Sequence, residues 1–231
     1  MLEQQPLHFE FRANQTFDDF FAGSNADIIS YMQNSITGKG EQQLFVYGAT
    51  GLGKSHLLQA CCQKGYALQL SSFYLDLNNP LLPNAEMLLG LESLELVCLD
   101  NIEAIAGNQD WEMALFHFFN QHRDNGHILI MSASCLPNDM PIQLPDLKTR
   151  LNWGLTLKLK PLSDDELIHA MMVKANRMGF DMPEKASSYL LNHYNHDLDA
   201  LWELLAKLDK ASLAEKRKVT IPFIKEVLPE L

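Results

Sequence analysis

Eight consecutive residues, Gly48-Ala49-Thr50-Gly51-Leu52-Gly53-Lys54-Ser55, have the types and spacing of a phosphate-binding loop, G-x-x-x-x-G-K-[ST]. The glycines allow backbone N–H groups to point at a phosphate, and the N-terminus of the following helix adds partial positive charge. Lys54 would reach the β- and γ-phosphates, Ser55 would ligate Mg²⁺, and His56 would line the same site. The motif predicts a nucleotide-binding protein, with an empty glycine-rich turn as the alternative.

Asp100 ends the apolar run Leu94–Leu99 downstream of this loop. A carboxylate at the carboxyl end of a strand is suited to hold the water shell of Mg²⁺, although a capping or turn aspartate is the other interpretation. Asn101 follows at the position where an active P-loop ATPase carries an acid, and an amide cannot accept a proton. Glu103 would lie roughly 6–7 Å further along an extended chain. We therefore expect the chain itself to hydrolyse a nucleotide weakly.

Arg150 lies near the predicted end of a helix, within Leu147–Gly154. An exposed arginine at a helix tip can act as an arginine finger on the γ-phosphate of a neighbouring subunit, while an ordinary surface salt bridge is the alternative. The aromatic side chains of Phe17, Phe20 and Phe21 precede the phosphate loop, and both adenine contact and core packing remain open for them.

The first residues include the segment Gln4-Gln5-Pro6-Leu7-His8-Phe9. Polar tails of this kind are usually disordered. A docking peptide is the second interpretation, with Gln4 entering a polar pocket and Leu7 and Phe9 entering an apolar one.

The composition is that of a globular protein, with 231 residues, 47% of them hydrophobic and 20% charged. A net charge of -11 with one tight basic cluster, Lys216–Lys218, argues against stand-alone or sequence-specific DNA binding. No apolar run approaches the ~18 residues of a membrane helix, and the start does not resemble a signal peptide, so we expect no membrane association and a cytoplasmic protein. The four cysteines lack zinc-site spacing and are expected to be buried thiols.

Apolar runs alternate with helical patterns along most of the chain. This order predicts an α/β core with a five-stranded parallel sheet, followed by a small all-α domain that begins with the capping signal Ser163–Glu166. The predicted divisions are a tail at 1–15, an α/β domain at 16–161 and a helical domain at 162–231. The predicted strands are Leu44–Tyr47, Ala67–Leu75, Leu94–Leu99, His127–Met131 and Leu155–Leu159.

These features together resemble the AAA+ P-loop NTPase family, and within it the nucleotide-binding core of the replication initiator DnaA, with a helical lid domain. The resemblance spans nearly the whole chain and is carried by Thr16–Phe20, Gly48–Ser55, Leu99–Ile102, Arg150–Thr156 and Thr220–Ile224. Further matches extend it to the DnaA-related regulatory inactivators: Val97–Glu103, Ala106–Gly107, Trp111–Ala114, Leu162–Asp164 and Lys218–Val227. We expect no helix-turn-helix domain after Leu231.

The resemblance implies a negative regulator of chromosome replication initiation that binds ADP and Mg²⁺. It implies that Gln4, Leu7 and Phe9 dock on the DNA polymerase sliding clamp, and that Arg150 acts in trans on ATP held by DnaA. Ser134 falls near the sensor I position, and Asn101 would also sense the nucleotide. Asp199 departs from the pattern, because it replaces the sensor II arginine and a carboxylate there would repel a γ-phosphate.

Two other functions remain open. One is a self-assembling, ATP-hydrolysing remodeller or helicase loader, which an acid at Asn101 and a sensor II arginine would have favoured. The other is a small-molecule kinase with a helical lid, although residues 163–231 offer only Arg177 and Arg217 to clamp a second nucleotide. The sequence leaves the oligomeric state open, including a homodimer or a larger assembly.

Overall fold

A computed structural model of the chain describes residues 15–82, 84–194 and 198–228. The internal contacts divide the chain into two compact units: the first ends at Leu159, and the second begins at Lys160 and also takes in Thr50–Leu52. The tail residues Gln4, Leu7 and Phe9, to which we assigned clamp binding, lie outside the described residues. None of the described helices is long and apolar enough to span a bilayer.

The first unit is built on a five-stranded sheet in the order β2-β3-β4-β1-β5, in which every neighbouring pair is parallel. This confirms the predicted α/β class. Parallel strands are covered on both faces, which explains why their sequences are nearly continuous apolar runs and why β3 is buried throughout. The strands are β1 (Gln43–Tyr47), β2 (Ser72–Asp76), β3 (Leu96–Asp100), β4 (Ile128–Ala133) and β5 (Leu155–Lys158).

Helices connect and cover these strands: α1 (Ala26–Ile36), α2 (Lys54–Ala67), α3 (Gln109–Asp124) and α4 (Pro145–Leu151). The side chain of Asn108 caps α3 by accepting from two backbone N–H groups of its first turn. Phe118 and Phe119 of α3 pack against strand residues such as Leu99 and Met131 in the core of this unit. Cys61, Cys62 and Cys98 are buried free thiols, and Cys135 is partly buried.

Because all five strands are parallel, the sheet has two chemically different edges. We call the edge where the strands begin the amino edge and the opposite one the carboxyl edge. The loop after β1 and Asp100 lie at the carboxyl edge, where ligands of open α/β sheets are usually bound. The last turns of α3 and α4 lead into β4 and β5, so these turns lie at the amino edge.

The second strand is shorter than the sequence predicts. Ala67–Leu75 reads as one apolar run, but α2 continues to Ala67 and the chain then turns through Gln69, which has a φ of 65°. Leu68 is 43% exposed on this turn, so its hydrophobicity does not mark a strand. Between β2 and β3 the chain forms two single 3-10 turns, Ala85–Leu88 and Leu91–Ser93.

The second unit is helical. Ser163 forms the predicted capping box, because its side chain accepts from the Glu166 N–H while the Glu166 carboxylate accepts from the Ser163 N–H. Leu190, Leu205 and Phe223 lie in the core of this unit. Its helices are α5 (Asp164–Met178), α6 (Glu184–His193), α7 (Leu198–Glu215) and α8 (Ile221–Val227).

The basic cluster Lys216–Lys218 lies in the turn after α7. Arg217 forms ion pairs with Glu215 at 2.7 Å and Glu226 at 2.9 Å, and its guanidinium lies over the Phe223 ring. These contacts hold Arg217 within the turn, as expected for a solvated inter-helix connection. Asp199 is in the first turn of α7, and its side chain is outside the described part of the chain.

Candidate functional site

The loop Gly48–Gly53 joins β1 to α2 through glycine conformations. Gly51 and Gly53 have φ values of 79° and 88°, in the left-handed region that a side chain disfavours, and Gly53 forms the N-cap of α2. Ser55 is the second residue of α2, so its hydroxyl group lies at the helix N-terminus beside the loop. The sequence-predicted order of strand, glycine-rich turn and helix N-terminus is therefore present.

The Lys54 side chain is buried, with 7% of the residue exposed, and lies against this loop. Its Nζ donates to the carbonyl oxygens of Gly48 at 2.8 Å and Ala49 at 2.9 Å. Burial lowers the pKa of the ammonium group, and the opposing charges of Glu103 and Asp100 partly counteract that shift. The loop therefore has a cation fixed beside its backbone, with two carboxylates close enough to favour its charge.

Phe20 packs directly on the phosphate loop. A Cβ atom at Gly53 would lie 2.8 Å from Phe20 Cε2, so the close approach requires glycine there. The Phe20 ring also meets the His56 ring edge-on at 5.4 Å, and the His56 Nε2 lies 2.8 Å from the Thr16 carbonyl oxygen. Phe17 is partly buried in the same N-terminal turn. These contacts favour Phe20 and His56 as residues that shape the loop.

Asp100 is fully buried at the end of β3, and both of its carboxylate oxygens are engaged. Oδ1 accepts from the Ser132 hydroxyl and from the Asn101 N–H at 3.1 Å, and Oδ2 accepts from the Tyr74 hydroxyl at 2.7 Å. Burial, with the adjacent Asp100 charge, raises the pKa of Tyr74, which keeps the phenol protonated as a donor. These donors hold the carboxylate in place from two neighbouring strands.

Asn101 has a left-handed backbone, with φ 57° and ψ 52°. Asparagine tolerates this conformation better than most side chains. Its Nδ2 donates to Asp76 Oδ1 at 2.8 Å, which joins the ends of β3 and β2. The amide therefore also has a structural role, in addition to lacking the proton-accepting ability of an acid.

Glu103 lies closer to the site than an extended chain would allow. The turn at Asn101 leads into the 3-10 helix Ile102–Ile105, which places Glu103 one turn beyond Asp100. The Glu103 Oε1 accepts from the Ser134 N–H at 2.8 Å, while its Oε2 is buried without a hydrogen bond to any described residue. The expectation of an extended chain after Asp100 is therefore wrong.

Ser134 follows directly after β4 and is exposed. Its backbone binds Glu103, while Ser132, two residues earlier, is the buried hydroxyl that contacts Asp100. Ser134, which we assigned to the sensor I position, therefore lies at the carboxyl end of β4, and Ser132 is the serine that contacts the Asp100 carboxylate.

Magnesium would rely on few protein ligands here. Among residues 15–82, 84–194 and 198–228, no three His, Cys, Asp or Glu side chains are grouped to hold a metal ion. The hydroxyl of Ser55 and the carboxylate of Asp100 are hard oxygen donors, which suit Mg²⁺ when phosphates and waters complete its octahedron. The donor set therefore fits a nucleotide-associated Mg²⁺.

Arg150 lies at the opposite edge of the sheet, in the last turn of α4. Its guanidinium carbon is 4.0 Å from the centroid of the Trp153 ring and 5.9 Å from that of Phe116. Its carbonyl oxygen accepts from Gln43 Nε2 at 3.0 Å, which ties it to the start of β1. Within the described ranges no carboxylate pairs with Arg150, so the surface salt bridge weighed for it is not found there.

Gln43 and the phosphate loop are separated by the length of β1. Four residue steps of about 3.3 Å each place the start of that strand about 13 Å from its end at Tyr47. The backbone of Arg150 is hydrogen-bonded to Gln43 at the start of β1, whereas Gly48 directly follows the end of β1. An extended arginine side chain cannot cross this distance to the phosphate loop of its own chain.

Several contacts at the site connect residues far apart in sequence and have no local pattern. Tyr74, Ser132 and Asp76 reach Asp100 or Asn101 from neighbouring strands. The sequence shows Glu103 as an acid three residues after Asp100. Recognising a helical turn directly after β3 would have indicated that its side chain lies close to the site. A tryptophan three residues after Arg150 is the only sequence signal for the cation–π contact.

Comparisons with known proteins agree with this architecture. A family model of the bacterial DnaA ATPase domain matches residues 11–74 and 85–158, which is more than half of the chain. A model described as the Hda lid domain matches residues 164–228.

Three solved structures illustrate the shared fold. Domain III of the replication initiation protein DnaA from Thermotoga maritima is 22% identical, with a TM-score of 0.78 and coverage of 94% of this chain and 96% of that one. AMPPCP-bound DnaA from Aquifex aeolicus is 17% identical, with a TM-score of 0.74 and coverage of 89% and 68%. The RuvB Holliday junction branch migration motor from Thermotoga maritima is 16% identical, with a TM-score of 0.71 and coverage of 95% and 72%.

Proposed function

This chain belongs to the bacterial DnaA ATPase-domain family within the AAA+ proteins, and we propose that it is a negative regulator of replication initiation. In this proposal the chain binds ADP, docks on the DNA polymerase sliding clamp and stimulates hydrolysis of the ATP bound to DnaA. The position of Arg150 carries the proposal, because it is unpaired within the described residues and lies at the edge away from its own phosphate loop.

Nucleotide binding is supported by the loop around Lys54. Two left-handed glycines, a helix N-terminus and a fixed ammonium group form the arrangement that binds phosphates in other P-loop proteins. Gly48, Ala49, Thr50, Gly51, Leu52 and Gly53 would contact phosphate through their backbone. Ser55 and Asp100 would hold Mg²⁺. The AMPPCP complex of the Aquifex aeolicus relative is consistent with this assignment.

The preference for ADP rests on the residues beside the phosphates. Asn101 cannot act as a base, and its amide is engaged by Asp76. Asp199 occupies the position of the sensor II arginine and would repel a γ-phosphate. Both features disfavour rapid ATP hydrolysis by this chain. They favour a bound diphosphate that maintains the conformation of the chain.

The two opposite edges of the sheet support action in trans. Arginine fingers stabilise the charge that develops on a transferred γ-phosphoryl group and are worth about 10³–10⁵-fold in rate. Since Arg150 and the phosphate loop are about 13 Å apart along β1, Arg150 is suited to a nucleotide held by another protein. DnaA is that partner in the proposal, and the clamp would recruit the chain through Gln4, Leu7 and Phe9.

The experiment that tests this proposal combines clamp loaded on DNA, ATP-bound DnaA and the purified chain, and measures hydrolysis of the DnaA-bound ATP. We expect Arg150→Ala to lower the stimulation of DnaA-bound ATP hydrolysis at least 100-fold. We expect Gln4→Ala to lower the stimulation that requires the clamp and to leave any clamp-independent stimulation unchanged. Lys64→Ala is the matched control, because Lys64 is an exposed basic residue in the last turn of another helix. Wild-type stimulation by Arg150→Ala would contradict the proposal.

A further inference from the structure

We propose that Arg123, Trp153 and Arg150 together form a two-arginine anion site, in which Arg123 provides a second cation for the phosphates of the partner's nucleotide. We call these three residues the arginine–tryptophan cluster. The inference deepens the proposed function and rests on it for the identity of the partner, and it assigns a binding role to Arg123.

Both guanidinium groups lie on one aromatic ring. The carbon of the Arg123 guanidinium is 4.6 Å from the Trp153 centroid, and that of Arg150 is 4.0 Å from it. The two carbons are therefore no more than about 9 Å apart, since both distances share one ring. A di- or triphosphate chain has anionic oxygens on successive phosphorus atoms, so two cations at this spacing can bind one chain at two points.

The fold places both arginines at the same edge by the same means. Arg123 is in the last turn of α3 and Arg150 in the last turn of α4, and these helices lead into β4 and β5. Those strands flank β1 on either side, so their starts are about 10 Å apart. Trp153 contacts both guanidinium groups, and its ring meets the buried Phe119 ring edge-on, with the centroids 6.2 Å apart.

Cations near helix C-termini are also stabilised by the helix dipole, so their presence in these turns is not evidence of a ligand. The contact of both guanidinium groups with Trp153 is the observation that the helix dipole does not explain. It keeps two like charges near each other, although they could separate into solvent. The ion pair of Arg123 is with the adjacent Asp124, at 3.4 Å, and both side chains are exposed. Such a pair is weak and would exchange readily for a phosphate.

Charge makes the cluster unusual for this protein. The chain carries a net charge of -11, and yet two arginines contact one tryptophan ring. Arginine binds phosphate through a planar fork of N–H donors, and contact with an aromatic ring does not use those donors. The cluster is therefore suited to an approaching polyphosphate and gives little stability to the free chain.

The test uses the complete reaction with DNA-loaded clamp and ATP-bound DnaA, and varies the concentration of the chain. We expect Arg123→Gln to raise the concentration that gives half-maximal stimulation by about 5- to 10-fold, as for the loss of one typical hydrogen-bonded contact. We also expect a shallower dependence of that concentration on salt, because one fewer cation is involved. Arg123→Lys should fall between Arg123→Gln and wild type.

Two controls separate this role from others. Lys64→Gln removes the same charge from an exposed site at the end of α2 and should leave the half-maximal concentration unchanged. Clamp binding by Arg123→Gln, measured without DnaA, should equal that of wild type. A half-maximal concentration and a salt dependence for Arg123→Gln that match wild type, while Arg150→Ala is inactive, would overturn the inference and leave the proposed function intact. Full activity of Arg150→Ala would instead refute the proposed function.

Discussion

The side-chain amide of Asn101 donates to the carboxylate of Asp76 at 2.8 Å, across the ends of two neighbouring strands. The two strands pair in register, with Asp76 opposite Asp100, so three polar side chains meet at this corner of the carboxyl edge. An asparagine fits here for two reasons, since it adopts the left-handed backbone and supplies the donor that Asp76 needs. A carboxylate at position 101 would face another carboxylate.

We expect Asn101→Asp to destabilise the fold by about 1–3 kcal/mol at pH 7, because it replaces a hydrogen bond with like charges. Close carboxylates raise the pKa of the pair, so the loss should shrink as the pH falls and one of them takes up a proton. Urea unfolding at pH 7 and pH 5 measures this. Asn101→Gly keeps the backbone conformation without the charge and should show a loss that does not shrink.

We expect Glu103→Gln to lower the residual ATP turnover of the chain by about 10- to 100-fold, since Glu103 is a carboxylate near Lys54 with a buried, unbonded oxygen. Single-turnover assays with the chain in excess over ATP measure the rate. Glu86→Gln, at an exposed 3-10 turn, is the control. An unchanged rate in Glu103→Gln would exclude Glu103 as the base.

We expect Lys54→Ala to weaken ADP binding by at least about 100-fold, because it removes the ammonium group that lies against the phosphate loop. Titration calorimetry in the presence of Mg²⁺ measures the affinity. Lys64→Ala lies on the same helix and is exposed, so it should bind ADP as wild type does. Equal affinities for the two variants would contradict the assignment of the loop.

We expect Gly154→Ala to destabilise the fold by more than about 3 kcal/mol. Its φ of 75° already disfavours a side chain, and the added Cβ would lie 2.3 Å from the Gln43 carbonyl oxygen. Gly38→Ala is the matched control, because its φ is 72° and nothing lies within 4 Å of the added carbon. The control should lose only about 1 kcal/mol in denaturant unfolding. Equal losses would show that backbone strain alone accounts for the effect.

Stability should fall in acid because of His122. Burial and the neighbouring His127 hold the pKa of His122 at about 4, below its usual 6.5, although the hydrogen bond to Leu94 and the charge of Glu92 oppose that shift. Between these pH values the unfolded chain protonates this residue and the folded chain does not, so the free energy of unfolding decreases as the pH falls from 6.5 to 4. The loss from this group approaches about 3 kcal/mol.

The variant His122→Gln tests this origin, since glutamine does not titrate and its amide can still donate to the Leu94 carbonyl oxygen that His122 Nε2 contacts at 3.0 Å. Urea unfolding of both proteins at pH 4.5, 5.5 and 7 should give a shallower pH dependence for the variant. Parallel profiles would assign the acid sensitivity to other groups.

The phosphate loop and the Asp100 strand end were predictable because their signals are local: fixed spacing of glycines, and an apolar run that ends in an acid. Tyr74 and Ser132 were not, because each reaches Asp100 from a different strand and has no local pattern of its own. The sheet order that brings them together depends on crossovers that periodicity does not encode.

The role of Asn101 shows the same limit. From the sequence it is an acid replaced by its amide, which indicates lost catalysis, whereas its contact with Asp76 adds a structural reason. The start of β2 was misplaced because Leu68 is hydrophobic but exposed on a turn. Hydrophobicity alone does not distinguish a buried strand from an exposed residue at a helix end.

The two edges of the sheet give this protein a direction. A contact that joins the amino edge of one molecule to the carboxyl edge of the next is heterologous, so it repeats head to tail and does not close after two copies. A molecule that used its amino edge to contact the last member of a row of AAA+ subunits would turn its own carboxyl edge outward. The nucleotide site at that end of the row would then have Asn101 in place of an acid. The two ends of the row would therefore differ in their capacity to hydrolyse nucleotide.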